Sequence, residues 1–431
     1  MKPQLLLLLL AASASADITV PTTTPPPPSP AGQLPVPGDA VLAGFEAPVV
    51  LSAARMLGPD VAGPAHRVRE FVPTDGYMAH YVIDSDYGNF ECIGTTQARS
   101  RIKEMEAIGK LVAVSKSDLF AEGVKRSIEQ PIDAVKNIAK DPVGSVKAVP
   151  KTVGHFFRKV GKSVENAASN VKDRIDNGDD SNLASSAGRT AKGVIGFDKA
   201  KLECAKQLGV DPYTDNARLQ EEIEKISWVF FSGGLPLRIG AAVASGGASV
   251  ALTATKVVGL PDEIYSLTPA ELTLRNSQAM EAMVVPADVS RRFAANEALS
   301  VTLRSSIIRS LQALGEIGGR AAVIEIAANL ETRRQAEFLD QALRLLVESQ
   351  QSGRKNFKSL EAVGRLPGAI DNAGVLHVPA PVDYLSWTPE LAEFAHRDDL
   401  LGRKPVLMLA GGATDLSRSE LTKLGWTISA P

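Results

Sequence analysis

Cysteine is scarce in this chain, with two among 431 residues. That excludes a disulfide-dense scaffold and a zinc cluster built on thiolates. Aromatic residues are also few, at 5%, which argues against a carbohydrate-binding or base-stacking surface. Net charge is nearly absent: 47 Lys+Arg stand against 49 Asp+Glu, for −2 overall. A bulk polycation made to coat nucleic acid and an acidic solvating protein are both excluded, and no nucleic-acid partner is expected. None of the five histidines forms an HExxH pair or a Cys/His zinc spacing, and neither a Walker pattern nor GxGxxG is present. No cofactor and no metal is called for. What the chain has is 44% hydrophobic residues, enough to build a core over two or three domains.

The N-terminus carries an address. Lys2 precedes six leucines, Leu5 to Leu10, and a small-residue stretch ends in Ala14-Ser15-Ala16. A positive start, a short apolar core and an Ala-x-Ala site make a secretory signal peptide over residues 1–16, cut after Ala16. The expectation is an exported protein, periplasmic or extracellular and peripheral to a membrane. In such a compartment Cys92 and Cys204 either pair or stay as buried thiols, and both remain open. Residues 17–40 hold eight prolines with threonines between and read as a disordered tether.

Hydrophobic periodicity divides the remainder. Residues 41–116 read as a strand–strand–helix unit, with strands at Val68–Val72, Met78–Asp84 and Asn89–Ile93 around the turn Ser85–Gly88. Tyr81, Ile83, Phe90 and Cys92 can share an apolar face if Gly88 makes no bulge. A helix over Gln97–Val114 puts Ile102, Met105 and Ile108 inward and Arg101, Lys103 and Glu104 around the rest. Residues 176–196 read as a linker, in which Asp176, Asp179 and Asp180 lack EF-hand spacing. Residues 197–351 read as a helical domain. Thr268-Pro269 with Glu271 starts one helix, and amphipathic runs cover Ser300–Leu314, Arg320–Leu330 and Thr332–Glu348. Residues 352–431 read as a small α/β unit with extended pieces at Val375–Val378, Val382–Leu385 and Pro405–Ala410. A helix over Leu416–Leu424 and a last strand at Trp426–Ile428 complete it. The fold class expected is mainly α with α+β elements: an N-terminal strand–strand–helix unit, a central helical bundle and a small C-terminal α/β unit.

The most distinctive segment is basic, at residues 117–175. From Pro131 it reads in elevens as PIDAVKNIAKD, PVGSVKAVPKT, VGHFFRKVGKS and VENAASNVKDR. Eleven residues over three turns is about 98° per residue. One apolar column holds Val135, Val146 and Phe157, and two basic columns hold Lys136, Lys147 and Arg158, then Lys140, Lys151 and Lys162. Residues 124–174 carry eleven Lys+Arg and five Asp+Glu, a local +6 that leaves −8 for the rest. Pro142 and Pro150 break it into two short helices and a longer one from about Lys151 to Ile175. An interfacial helix on an anionic membrane, or docking on an acidic envelope partner, matches this pattern. So does packing on the protein itself with a solvated basic face, because the lysines sit opposite the apolar arc rather than beside it. Eleven-residue repeats of apolipoprotein-like and synuclein-like lipid-binding segments are similar in period only.

Other features carry less. Residues 226–259 are apolar and rich in Ala, Gly and Ser, and between Lys225 and Lys256 only Arg238 is charged. They suit a buried helical hairpin or, at the short limit, membrane insertion. His80, Asp84 and Glu91 fall on the polar face of the hairpin and are the nearest thing to a hydrolase site. Ser100 and Lys103 match Ser-x-x-Lys without its partner motifs, and Gly411-Gly412 is a weak phosphate-loop signal. The stretches VPTDGYMAHYVIDSDYGNFE (Val72–Glu91), VPAPVDYLSW (Val378–Trp387) and LGWT (Leu424–Thr427) resemble uncharacterised exported proteins of proteobacteria. That resemblance implies export and brings no activity. The leading expectation is thus a non-enzymatic cell-envelope protein docking through its basic segment. An exported hydrolase and a membrane-inserting protein are the alternatives.

Overall fold

The computed structural model describes residues 44–129, 187–239, 260–400 and 402–429. The fold is mainly α with α+β elements, with twelve α-helices and several small sheets among the described residues. The first part contains β1 (Val50–Ser52), α1 (Ala53–Leu57), β2 (Ala62–Gly63), β3 (His66–Val68), β4 (Phe71–Pro73), β5 (His80–Ser85), β6 (Gly88–Ile93) and α2 (Thr95–Val114). Helices α3 (Asp118–Glu129), α4 (Ala187–Leu208) and α5 (Ala217–Ser232) follow. After them come α6 (Pro269–Ala282), α7 (Ala287–Ala295), α8 (Val301–Ala313), α9 (Arg320–Ala328) and α10 (Arg333–Gln351). The last part runs β7 (Phe357–Val363), β8 (Leu366–Asp371), β9 (Leu376–Ala380), β10 (Tyr384–Leu385), α11 (Pro389–Ala395), β11 (Val406–Leu409), β12 (Gly412–Ala413), α12 (Asp415–Lys423) and β13 (Thr427–Ser429).

Strands β2-β3-β5-β6 form an antiparallel sheet, and β1 pairs with β4 beside it. The strand expected over Val68–Val72 is therefore two, each going to a different sheet. The β5–β6 register runs unbroken from Ser85↔Gly88 to His80↔Ile93, so Gly88 makes no bulge. Tyr81 then faces Cys92, and Ile83 faces Phe90. Three of these four are buried together with Ala98 and Ile102 of α2, and Phe90 packs against them partly buried. The other half of α2, through Ile108, Leu111 and Val114, is buried among α3, α4 and α5. One helix thus serves two cores.

Helix α4 begins at Ala187, inside the stretch read as linker. Its start is polar and small-residued, so periodicity is weak there, and its helical signal comes from Ala205 and Leu208, which share a core with α2 and α5. Downstream, local signals match the structure closely. Thr268 and Glu271 form a reciprocal capping box, and so do Thr332 and Gln335. The stripe Ala336, Leu339, Ala342, Leu343 and Leu346 is fully buried.

The C-terminal sheet has the order β13-β11-β9-β8-β7. Strand β11 is parallel to both neighbours, and β7-β8-β9 is antiparallel. Phe357, Leu360, Ala369 and Met408 meet the helical bundle on one face. Val363, Val378, Leu407 and Leu409 meet α11, α12 and Trp426 on the other. Burial on both faces explains the unbroken apolar run in β11. The β7–β8 hairpin has no counterpart in the sequence reading. A bulge between Phe357 and Ser359 breaks the period-two pattern, and Pro367 argues against a strand. Bundle and sheet touch directly at Gly319, where a Cβ would lie 1.8 Å from the Leu360 carbonyl oxygen.

Among the described residues two positions other than glycine, Val284 and Lys404, have a left-handed backbone. Val284 has φ 57 and is 84% exposed. It follows α6 where its N–H donates to Glu281 and that of Val285 to Met280, a helix end that favours glycine in the left-handed position. A β-branched residue there costs about 1–2 kcal/mol, and this side chain recovers little by burial. Val284→Gly should raise stability by about 1 kcal/mol in urea unfolding; a loss would show that the side chain makes a contact worth more than the strain.

Candidate functional site

Lys136, Lys140, Lys147, Lys151, Arg158, Lys162, Val135, Val146 and Phe157 lie outside the described residues. The described elements on either side do bear on them. The chain enters residues 130–186 from α3 and leaves into α4. Phe120 of α3 and Cys204, Ala205 and Leu208 of α4 share one core with Ile223, Val229 and Phe230 of α5. The apolar stretch 226–259 starts from the same layer. Its described part, 226–239, buries Ile226, Phe230 and Ile239 there, and Phe197 stacks edge-on to Trp228 at 5.4 Å. Residues 240–259 lie outside the description. Among the described residues no helix is long and apolar enough to cross a membrane.

The hairpin residues do not converge. His80 and Asp84 share a face, but four residues of strand separate them by about 13 Å. Each has its own partner. His80 Nε2 lies 3.2 Å from Asp75 Oδ2, and Arg69 donates to both oxygens of Asp84 at 3.0 Å. Glu91 sits across from Val82 and is exposed. Burial alone would raise the Asp75 pKa; His80 and the N–H groups of Met78 and Tyr77 outweigh it and hold the carboxyl below its usual range. This is a turn-fixing carboxylate rather than a general acid.

The other signals also resolve into packing. Cys92 and Cys204 are free and buried in different cores. Burial pushes their thiols up to about 11 and about 12, which opposes nucleophilic use. At Gly411 a Cβ would meet the Asp383 carbonyl oxygen at 2.1 Å, so this glycine permits close backbone approach and makes no phosphate loop. The neighbouring helix start at Thr414 is already taken: its Oγ donates to Glu46 at 2.5 Å. Among the described residues no three His, Cys, Asp or Glu side chains are grouped to hold a metal.

Two polar constellations stand out instead. In the first, the turn before β5 is clasped by the loop after β9. The N–H groups of Asp383 and Tyr384 donate to the Tyr77 carbonyl at 2.9 and 3.1 Å, and Ser386 N–H donates to Gly76 at 2.9 Å. The Asp383 carboxylate receives Ala79 N–H at 2.9 Å and Thr95 N–H at 3.1 and 3.2 Å. Helix α2 has Gly94 at its cap position and no side-chain cap of its own. Asp383 supplies the missing acceptor at the positive end of the helix. Tyr77 hydrogen-bonds Thr388, and Glu46 accepts Trp387 N–H at 2.8 Å. No single-residue pattern marks these carboxylates, because their partners are backbone N–H groups hundreds of residues away.

The second constellation corrects the reading of α2. Arg101 and Glu104, placed on its polar side, are 9% and 4% exposed. Arg101 donates to Glu104 at 2.6 Å and to Asp215 at 2.9 Å. Thr214 and Asn216 complete the Glu104 shell at 2.5 and 2.9 Å. Asp215 also faces Arg333 of α10 at 3.6 Å. Burial works against the Arg101 charge, but Glu104 and Asp215 more than offset it and raise its pKa. The charges tolerate burial because every one is paired.

No protein-family profile, curated protein or solved structure matches this chain.

Removing Glu104 leaves the buried Arg101 guanidinium with Asp215 as its remaining carboxylate and takes the acceptor from Thr214 and Asn216. Glu104→Ala should cost about 2–4 kcal/mol in urea unfolding, since two buried donors lose their acceptor while Arg101 keeps Asp215, and Glu104→Gln should cost less because it keeps an acceptor for Thr214. A loss under about 1 kcal/mol for the alanine variant would mean that the network is solvated.

Proposed function

We propose that the protein is an exported, non-enzymatic component of the cell envelope whose basic segment, residues 117–175, docks it on an anionic membrane surface. The charge pattern supports this reading. Within the segment, residues 124–174 carry a local +6, set in columns against an apolar column within an otherwise acidic chain. Lys136, Lys140, Lys147, Lys151, Arg158 and Lys162 supply the attraction, each near-surface charge contributing about 1 kcal/mol. Val135, Val146 and Phe157 supply the apolar contact.

The observation that carries the reading is where the segment is rooted. Helices α3 and α4, at its two ends, both pack on α5. The apolar stretch that continues past Ile239 leaves from this layer too, and the chain comes back through Tyr265, which packs against the same core. The described ends of the most basic and of the least charged segment therefore belong to one helical layer. A segment held at both ends presses the folded body against whatever it binds, while a free tail would leave it on a string. The uses found for Asp75, Asp84, Asp383 and Glu46 in holding backbone and Arg69 favour a binding role over a hydrolytic one.

Vesicle co-sedimentation of the full chain tests this. Binding should be strong to vesicles containing phosphatidylglycerol, weak to phosphatidylcholine alone, and should fall as salt is raised. Replacing the six basic residues by glutamine should weaken it at least ~100-fold at low salt. Equal binding to neutral and anionic vesicles, or none to either, would overturn the reading. An acidic protein partner captured with vesicle binding absent would replace the membrane as the target.

A further inference from the structure

An uncovered surface lies on the ribbon of β1 and β4. Val50 pairs with Pro73, Leu51 with Val72 and Ser52 with Phe71. Side chains alternate along a strand, and opposed residues share a face. Leu51 and Val72 turn inward, where Val72 is fully buried and Leu51 packs against the same core. Val50, Ser52, Phe71 and Pro73 therefore turn outward. Phe71 is 68% and Val50 50% exposed, and Pro73 is exposed beside them. Among the described residues the other exposed large hydrophobics are Leu274 and Val284, so two of the four share this one face.

The edge of β1 is open as well. Thr74 N–H donates to the Val49 carbonyl, and Ala53 N–H to that of Glu70. Bonded and non-bonded pairs alternate in an antiparallel ladder. Leu51 and Val72 therefore bond each other, while the backbone groups of Val50 and Ser52 point away from β4. The Ser52 carbonyl opens α1. That leaves the Val50 N–H, the Val50 carbonyl and the Ser52 N–H facing outward, with no strand beside them among the described residues. An apolar face next to an unpaired edge is a template for an added strand.

We propose that Leu34–Pro37 of this chain is that strand, antiparallel to β1 with Val36 opposite Val50 and Leu34 opposite Ser52. Residues 1–43 lie outside the described residues, and the described chain begins at Gly44, six residues before Val50. The sequence Leu34-Pro35-Val36-Pro37 fits the edge position by position. The N–H and carbonyl of Val36 meet those of Val50, and the Leu34 carbonyl receives the Ser52 N–H. Both side chains fall on the outward face, Val36 beside Val50 and Leu34 across the small Ser52 from Phe71. The prolines fall where an N–H would point to solvent. None is needed there, and its absence stops a further strand from adding. The chain also reaches. Pro37 stands about 5 Å from Val49 in this register, and Val49 is at most about 18 Å from Gly44. The seven steps from Pro37 to Gly44 span up to about 23 Å. Ile18 and Val20 also alternate, but Thr19 leaves an N–H on the outer edge and the loop is longer. The proposal goes beyond membrane docking and does not depend on it, because its test contains no membrane.

The test is amide hydrogen exchange of the full chain read by nuclear magnetic resonance. The Val50 and Ser52 amides should exchange at least about tenfold more slowly than unpaired amides, and Leu34 methyl groups should show a nuclear Overhauser contact to the Phe71 ring. Leu34→Asp with Val36→Asp should return both amides to the unpaired rate. Val36→Pro removes the N–H that meets Val50 but stays apolar, and it should do the same at Val50. The β5–β6 amides should be unchanged in each variant, which shows that the fold is intact. Ile18→Asp with Val20→Asp should leave the protection as it is. Unprotected Val50 and Ser52 in the unaltered chain, protection that survives Leu34→Asp with Val36→Asp, or loss in the Ile18 and Val20 variant would overturn the proposal. So would protection that grows with protein concentration, which would place a second copy of the chain on the ribbon.

Discussion

One carboxylate sets the arrangement of this molecule. Asp383 sits at the start of α2 and accepts hydrogen bonds from Ala79 and Thr95. Helix α2 begins at a glycine and brings no capping side chain, so its exposed N–H groups and positive end depend on a residue from the far end of the chain. Caps of this kind contribute about 0.5–2 kcal/mol, and a charged acceptor on a helix N-terminus lies toward the upper end. Where that helix start lies decides much else. Downstream on the same helix, Arg101 and Glu104 reach the loop at Thr214–Asn216. Asp215 in that loop faces Arg333 at the start of α10. Helix α10 in turn lies on the sheet that carries Asp383, with Leu339 and Leu343 in one core with Phe357 and Leu360. The contacts close into a ring.

That ring explains why buried charge is tolerated. An isolated ion pair in a core gives little net stability. Here each member also fixes the position of a different part of the chain, and the hydrogen bonds of Thr214 and Asn216 complete the shell of Glu104. The same logic assigns the polar residues near the hairpin. Asp75 shapes the turn that presents Tyr77 and Met78. Asp84 is held by Arg69. Glu46 joins the N-terminal approach to Trp387 and Thr414. Groups that resemble the raw material of an active site are committed to backbone and to each other.

Local signals were readable in the sequence, and long-range ones were not. The capping box at Thr268, the apolar stripe of α10 and the alternation of Tyr81 with Ile83 need only near neighbours in the chain. The β7–β8 hairpin escaped because a bulge and Pro367 interrupt its period. Arg101 and Glu104 looked like solvent-facing residues because charge marks a surface unless its partners are known, and theirs lie more than a hundred residues on. The stretches Val72–Glu91 and Val378–Trp387 meet in space, and their contact is the clasp between Tyr77 and Asp383. No periodicity in either stretch announces that meeting.

The central claim is that this ring makes the first and last parts of the described fold one cooperative unit. Native-state hydrogen exchange of the β5–β6 amides against those of β9 and β11 tests it most directly. The account predicts that both groups open with the same free energy, and that in Asp383→Ala the hairpin amides open well before those of the sheet. Opening of the hairpin at much lower free energy than the sheet in the unaltered protein, with no change in Asp383→Ala, would contradict it.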